Sequence, residues 1–216
     1  MTGLKNYLLD LLFPPRCVFC HRLLNDGEKD MCRSCADGTE VSKESFIPDF
    51  ASDSVDGCYA PLKYEGNVRK SLHRYKFGGL RFYAGIYGGI ICDTLSGGEL
   101  NCDLITWAPL SKARLRKRGY DQARLLAEEI SERTGIPCVR TLVKTKNIKA
   151  QSSLGALGRL QNIKNAYSPA EGVDLKGKHL LLVDDIVTTG ATVSECAGVL
   201  KKAGAFSVTV VGVAST

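Results

Sequence analysis

The run Leu180-Leu181-Leu182-Val183-Asp184-Asp185 constrains the fold more than any other stretch of the 216 residues. Four consecutive large apolar residues leave no face for water. A strand built from them is covered on both sides, as in an α/β sheet flanked by helices. Further strands are expected at Val55–Tyr64, Leu104–Pro109, Val139–Val143 and Ser207–Val213, with His179–Asp184 carrying the run itself. Helices are expected at Asn67–Phe77, Arg81–Leu95, Asp121–Thr134 and Thr192–Ala203. Such alternation predicts a doubly wound parallel sheet, whose ligands bind at the carboxyl ends of the strands.

Asp184 and Asp185 fall at such an end, followed by Ile186-Val187-Thr188-Thr189-Gly190-Ala191-Thr192 and then a helix. Adjacent carboxylates accept hydrogen bonds from vicinal hydroxyls. Gly190 permits a tight turn with positive φ. Successive backbone N–H groups, threonine hydroxyls and the helix N-terminus together make a nest for an anion. The combination suits a ribose carrying a 5′-phosphate. The plainer alternative is a surface acid pair before a capped helix. No Gly-x-x-x-x-Gly-Lys-Ser/Thr occurs, which argues against a P-loop nucleotidase.

Two polar runs also follow strands. In the first, five of the seven residues from 112 to 118 are basic: Lys112, Arg114, Arg116, Lys117 and Arg118, with Gly119 and Gln122 just beyond. This reads as a basic loop that neutralises a pyrophosphate, contacts a nucleic-acid backbone, or is simply solvated. The second run spans 145–154 and continues to Arg159 and Asn162, with Lys149 and Gln151 inside it. It reads as a lid over the ligand or as an ordinary surface loop. Tyr64, Tyr75, Phe77, Phe82 and Tyr83 lie near basic residues and serve either to stack bases or to fill helix-face core.

Near the N-terminus, Cys17-x-x-Cys20 and Cys32-x-x-Cys35 are separated by eleven residues. Two CxxC pairs at this spacing point to a structural four-cysteine zinc site with no open coordination position. A segment this small has little core, so the metal supplies folding energy. His21, next to Cys20, reads as a substitute ligand or as simply exposed. Residues 1–40 form the N-terminal helix and zinc module, 41–54 a polar linker, and 55–216 the α/β domain. The apolar Leu4, Leu8, Leu9, Leu11, Leu12 and Phe13 read as an amphipathic helix stopped by Pro14 and Pro15. No apolar run reaches ~20 residues and no cleavage site follows, so membrane insertion and a signal peptide are not expected. The nine cysteines fit a reducing cytoplasm better than a disulfide framework, and the net charge of +6 suits an anionic ligand.

The acid-pair run resembles the motif of type I phosphoribosyltransferases that binds 5-phosphoribosyl-1-pyrophosphate (PRPP). With Arg118-Gly119-Tyr120-Asp121-Gln122, with Gln151, Leu154, Arg159 and Asn162, and with the Cys-rich head, nearly the whole chain resembles the ComF family of competence-associated proteins. Asp121 stands where that family usually has Asn, and Trp107-Ala108-Pro109 stands where a Val-Pro-type sequence is more usual. The resemblance implies that Asp184 and Asp185 hold the ribose hydroxyls and are the only catalytic candidates of the motif. It implies that Val187, Thr188, Thr189, Gly190, Ala191 and Thr192 hold the 5′-phosphate, with Mg2+ accompanying PRPP. Residues 55–100 would form the hood. The implied role is DNA uptake in natural transformation, with single-stranded DNA and a helicase-like partner. The alternative is an active phosphoribosyltransferase of nucleotide metabolism or salvage, with a nitrogenous acceptor.

Overall fold

A computed structural model describes residues 14–49, 54–96, 101–145 and 163–216. The expected N-terminal helix and the lid residues Lys149, Gln151, Arg159 and Asn162 lie outside them. In chain order the elements are α1 (Arg33–Gly38), β1 (Ser45–Phe46), β2 (Gly57–Tyr59), β3 (Leu62–Lys63), α2 (Gly66–Phe77), α3 (Tyr83–Leu95), β4 (Leu104–Trp107), α4 (Lys112–Arg118), α5 (Gln122–Thr134), β5 (Leu142–Lys144), β6 (Tyr167–Pro169), β7 (His179–Val183), β8 (Ile186–Val187), α6 (Ala191–Lys202), β9 (Ser207–Val211) and β10 (Ala214–Ser215).

The main sheet has the order β1-β2-β9-β7-β4, parallel throughout except for β1 at the edge. Its strands are covered on both faces, as the apolar run requires. Leu181 and Val183 enter one core with Ile105, Val211 and the helix residues Tyr87, Ile91, Leu126 and Ile130. Leu180 and Leu182 enter the other with Val208, Val210, Cys196 and Leu200. Side chains that alternate between two buried layers are the signature of a sheet wound on both sides. Helices α3 and α5 pack closely on the first side, where a Cβ on Gly88 would stand 2.9 Å from Cβ of Glu129. Among the described residues no helix is long and apolar enough to cross a membrane.

Four expectations are revised. The strand expected over Val55–Tyr64 is two strands, β2 and β3, in different sheets, because Pro61 between them has no N–H for the ladder. The strand expected at Val139–Val143 lies at Leu142–Lys144 and pairs antiparallel with β6, outside the main sheet. Ser45 and Phe46, inside the stretch expected to be a linker, form the edge strand β1 against β2. The basic run 112–118 is not a loop but the helix α4, started by Ser111, whose hydroxyl accepts from Arg114 N, and ended by Gly119 at φ 79°.

The zinc module is continuous with the main core. Cys17, Val18, Phe19, Cys32 and Cys35 are buried in the same cluster as Leu72, Tyr75, Tyr83 and Tyr87.

Candidate functional site

The strands β4 and β7 run parallel with Trp107 beside Val183, so the segments leaving them start side by side. Asp184 N still bonds Val211 O at 2.9 Å, and one Asp184 carboxylate oxygen accepts from Asp185 N at 2.8 Å. Burial, reinforced by the charge of Asp185, pushes the Asp184 carboxyl up to about 7, against the opposing pull of Lys76 and Lys144. Asp185 is buried and makes an ion pair with Lys76, Nζ to Oδ1 2.9 Å. Of the two adjacent acids, Asp185 thus has an ion-pair partner in Lys76, while Lys76 and Lys144 act on Asp184 only through their charge.

Beyond the acids, Val187 sits in β8 opposite Ser215 with its side chain in the core, so only its backbone is open to a ligand. Thr188 is exposed and Thr189 half-buried. Gly190 has φ 80°, a left-handed conformation that places the following amides at the mouth of α6. Thr189 Oγ1 lies 3.5 Å from Ala191 N, and Ser194 N closes the first helical turn on Gly190 O at 2.8 Å. These residues thus stand at the N-terminus of α6, beyond the carboxyl end of the central strand β7.

On α4, Lys112, Arg116 and Lys117 are exposed, whereas Arg118 is turned inward. Its Nη1 donates to Gln122 Oε1 at 2.9 Å, and its guanidinium lies 4.8 Å from the ring centre of Phe77. Gln122 is buried and its amide also reaches Lys76 O at 3.4 Å, so it braces neighbours rather than facing a ligand. Asp121 is a clasp: Oδ2 accepts from Leu110 N at 2.9 Å and Oδ1 from Arg124 N at 3.4 Å. Burial raises its carboxyl, so the acid in place of Asn serves to tie the segment after β4 to α5. Of the aromatics, Tyr75 and Tyr83 are core, while Phe77 and Phe82 are exposed.

Lys76 and Lys144 are site residues that the sequence reading does not single out. Lys144 Nζ donates to Tyr167 OH at 2.7 Å, and burial lowers its pKa. It is the last residue of β5, in the small antiparallel sheet outside the main one. No local signal marks Lys76, which joins the acids only through packing of α2.

In the head, the four Sγ atoms of Cys17, Cys20, Cys32 and Cys35 all lie within 4.8 Å of one another, with Cys20 to Cys32 at 3.7 Å. A zinc tetrahedron with arms of ~2.3 Å has edges of about 3.8 Å, so the cluster fits a structural zinc ion. His21 is not part of the cluster. The backbone turns back at each pair, with His21 N on Cys17 O at 2.9 Å and Cys35 N on Cys32 O at 3.0 Å.

Residues 8–51 match the family described as "Double zinc ribbon domain", and residues 117–215 match "Phosphoribosyl transferase domain". The chain is 39% identical over 108 residues to "Competence protein F" of Haemophilus influenzae, covering 49% of this chain and 47% of that protein. It is 35% identical over 111 residues to "DNA utilization protein YhgH" of Escherichia coli K12, covering 50% and 47%. It is 29% identical over 144 residues to "Competence protein ComFC" of Bacillus subtilis, covering 65% and 56%. The chain thus spans about half the length of the curated relatives it matches.

Proposed function

We propose that this chain, a homologue of competence protein F, YhgH and ComFC with a zinc ribbon and a phosphoribosyltransferase domain, binds PRPP or a closely similar ribose phosphate in the cytoplasm and acts in the handling of incoming DNA. The observation that carries the ligand reading is the acid pair, Asp184 half-buried and Asp185 buried, set shortly before the left-handed Gly190 and the N-terminus of α6. The acids accept the ribose 2′ and 3′ hydroxyls. The amides of 188–192 and the threonine hydroxyls hold the 5′-phosphate. Mg2+ brought with PRPP would offset pyrophosphate charge, together with the ammonium group of Lys76 that pairs with Asp185 and the charge of Lys144. Lys149, Gln151, Arg159 and Asn162 belong to this reading as a lid over the ligand.

The DNA reading draws on the relatives' names and on the exposed basic residues of α4, beside which Phe77 is exposed with Arg118 above it. A cationic helix with an aromatic at its edge suits a single strand, backbone on the charges and base on the ring. A helicase-like partner is part of the same reading.

The test is equilibrium binding of PRPP with Mg2+ to the zinc-loaded chain and to its Asp184→Asn/Asp185→Asn variant. The variant should bind at least tenfold more weakly; equal affinity would remove the ribose-hydroxyl assignment. Single-stranded DNA binding should weaken steeply with salt, whereas PRPP binding should respond less. Pyrophosphate release in the presence of a nitrogenous acceptor would add an enzymatic activity to the binding role.

A further inference from the structure

Helix α2 ends in a turn whose four consecutive side chains, Arg74 to Phe77, reach four different parts of the molecule. A helix advances about 100° per residue, so four neighbours cover its whole circumference. Arg74 Nη2 donates to Val18 O at 2.9 Å and Phe19 O at 2.6 Å, the two residues between Cys17 and Cys20. One turn earlier, Ser71 Oγ donates to Val18 O as well. Tyr75 OH donates to Gln122 O at 2.9 Å, and Tyr120 OH donates to Tyr75 O. Lys76 pairs with Asp185 at 2.9 Å, and Phe77 lies under the Arg118 guanidinium.

We propose that Lys76 is a positioning residue for the ribose-phosphate site, and that this helical turn makes ligand binding there and metal retention in the four-cysteine knuckle depend on each other. The proposal rests on the reading of Asp184 and Asp185 given above. The Lys76 ammonium occupies Oδ1 of Asp185, holding the carboxylate in one orientation so that a ribose hydroxyl is met by the second oxygen. It also offsets negative charge where a polyanion must approach. Its place depends on how α2 is seated, and α2 is seated by Arg74 on the knuckle carbonyls. The Cys17–Cys20 turn presents those carbonyls together, and a metal shared by its two thiolates would hold it in that form. Without the metal the turn is free to open, Arg74 loses its acceptors, and Lys76 loses its register against Asp185. Such coupling is reciprocal: a ligand that tightens the Lys76–Asp185 end must slow loss of the metal at the other.

The experiment follows zinc transfer from the full chain to a chromogenic chelator, at constant Mg2+, with and without saturating PRPP. In the wild type PRPP should slow release by roughly fivefold or more, and Lys76→Arg should preserve that effect. Lys76→Met should release zinc faster without ligand and should lose the slowing even where PRPP saturates it. Arg74→Met should uncouple the two sites in the same way. If Lys76→Met does not fold, Lys76→Met/Asp185→Asn, which leaves no lone buried charge, takes its place without ligand, again with faster release expected. Bound PRPP that leaves the release rate unchanged would overturn the coupling while sparing the proposed function. If the wild type binds no PRPP, the proposed function falls; the coupling is then decided without ligand, and a wild-type release rate in Lys76→Met overturns it.

Discussion

Lys76 Nζ stands 2.9 Å from Asp185 Oδ1, linking the last turn of a helix that packs on the four-cysteine head to the second of the paired acids after β7. Both side chains are largely shielded from water, at 19% and 13% exposure. Removing one partner strands a buried charge, at a cost on the order of 3–5 kcal/mol. Lys76→Met should therefore lower unfolding stability by that order in urea titrations, and Lys76→Met/Asp185→Asn should recover most of it. A single variant as stable as the wild type would show that the pair is solvated and contributes little.

Asp184 supplies a pH dependence. Its carboxyl is pushed up to about 7 in the folded chain from an ordinary value of 3.8, by burial first and the Asp185 charge second. Between those values the folded state holds a proton that the unfolded state has lost. The chain therefore loses stability as pH rises through that window, ending near neutrality. Asp184→Asn removes the titration, so its melting temperature relative to wild type should climb from about pH 5 to about pH 8, each kcal/mol appearing as roughly 2–4 °C. A difference that is flat with pH would contradict the burial of this carboxyl.

Gly190, at φ 80°, tests the anion nest. An L side chain in that conformation costs roughly 1–2 kcal/mol. Gly190→Ala should lower stability by about that much and weaken PRPP binding more than tenfold, because relief of the strain rotates the amides of 191 and 192 away from the phosphate. Unchanged affinity in calorimetry would place the phosphate elsewhere.

The zinc module should not behave as a detachable appendage. Val18, Phe19 and three of the four cysteines are buried in the same core as the helices α2 and α3. Cys32→Ser should lose the bound zinc, about one ion per chain, and should lower the melting temperature of the whole chain in a single transition. A separate early transition that leaves the main melt in place would show an independent module.

The central architecture is readable from the sequence because it rests on local rules. Leu180 to Val183 cannot be wetted on either face, and Asp184, Asp185 and Gly190 carry their chemistry in adjacent positions. The helix α4 is hidden for a different reason. It buries none of its residues, so it shows no apolar period, although its boundaries Ser111 and Gly119 are ordinary capping signals. In the sequence Asp121 shows only as an acid where the resembled family has Asn; its hydrogen bonds to Leu110 N and Arg124 N exist only once β4 and α5 are in place. Lys76 is invisible in the same sense, since its pairing with Asp185 joins segments far apart in sequence. Val18 and Phe19 look like spacers between two ligands, and only the packed fold shows them as the seat of Arg74.

The most direct test is a calorimetric titration of the zinc-loaded chain with PRPP and Mg2+, repeated in buffers of different ionisation enthalpy. Saturable binding near one site per chain is predicted, with proton release from the Asp184 carboxyl as the ligand-bearing site takes up its ionised form. Absence of saturable heat in every buffer would contradict the claim that this acid pair and its glycine turn hold a phosphorylated ribose.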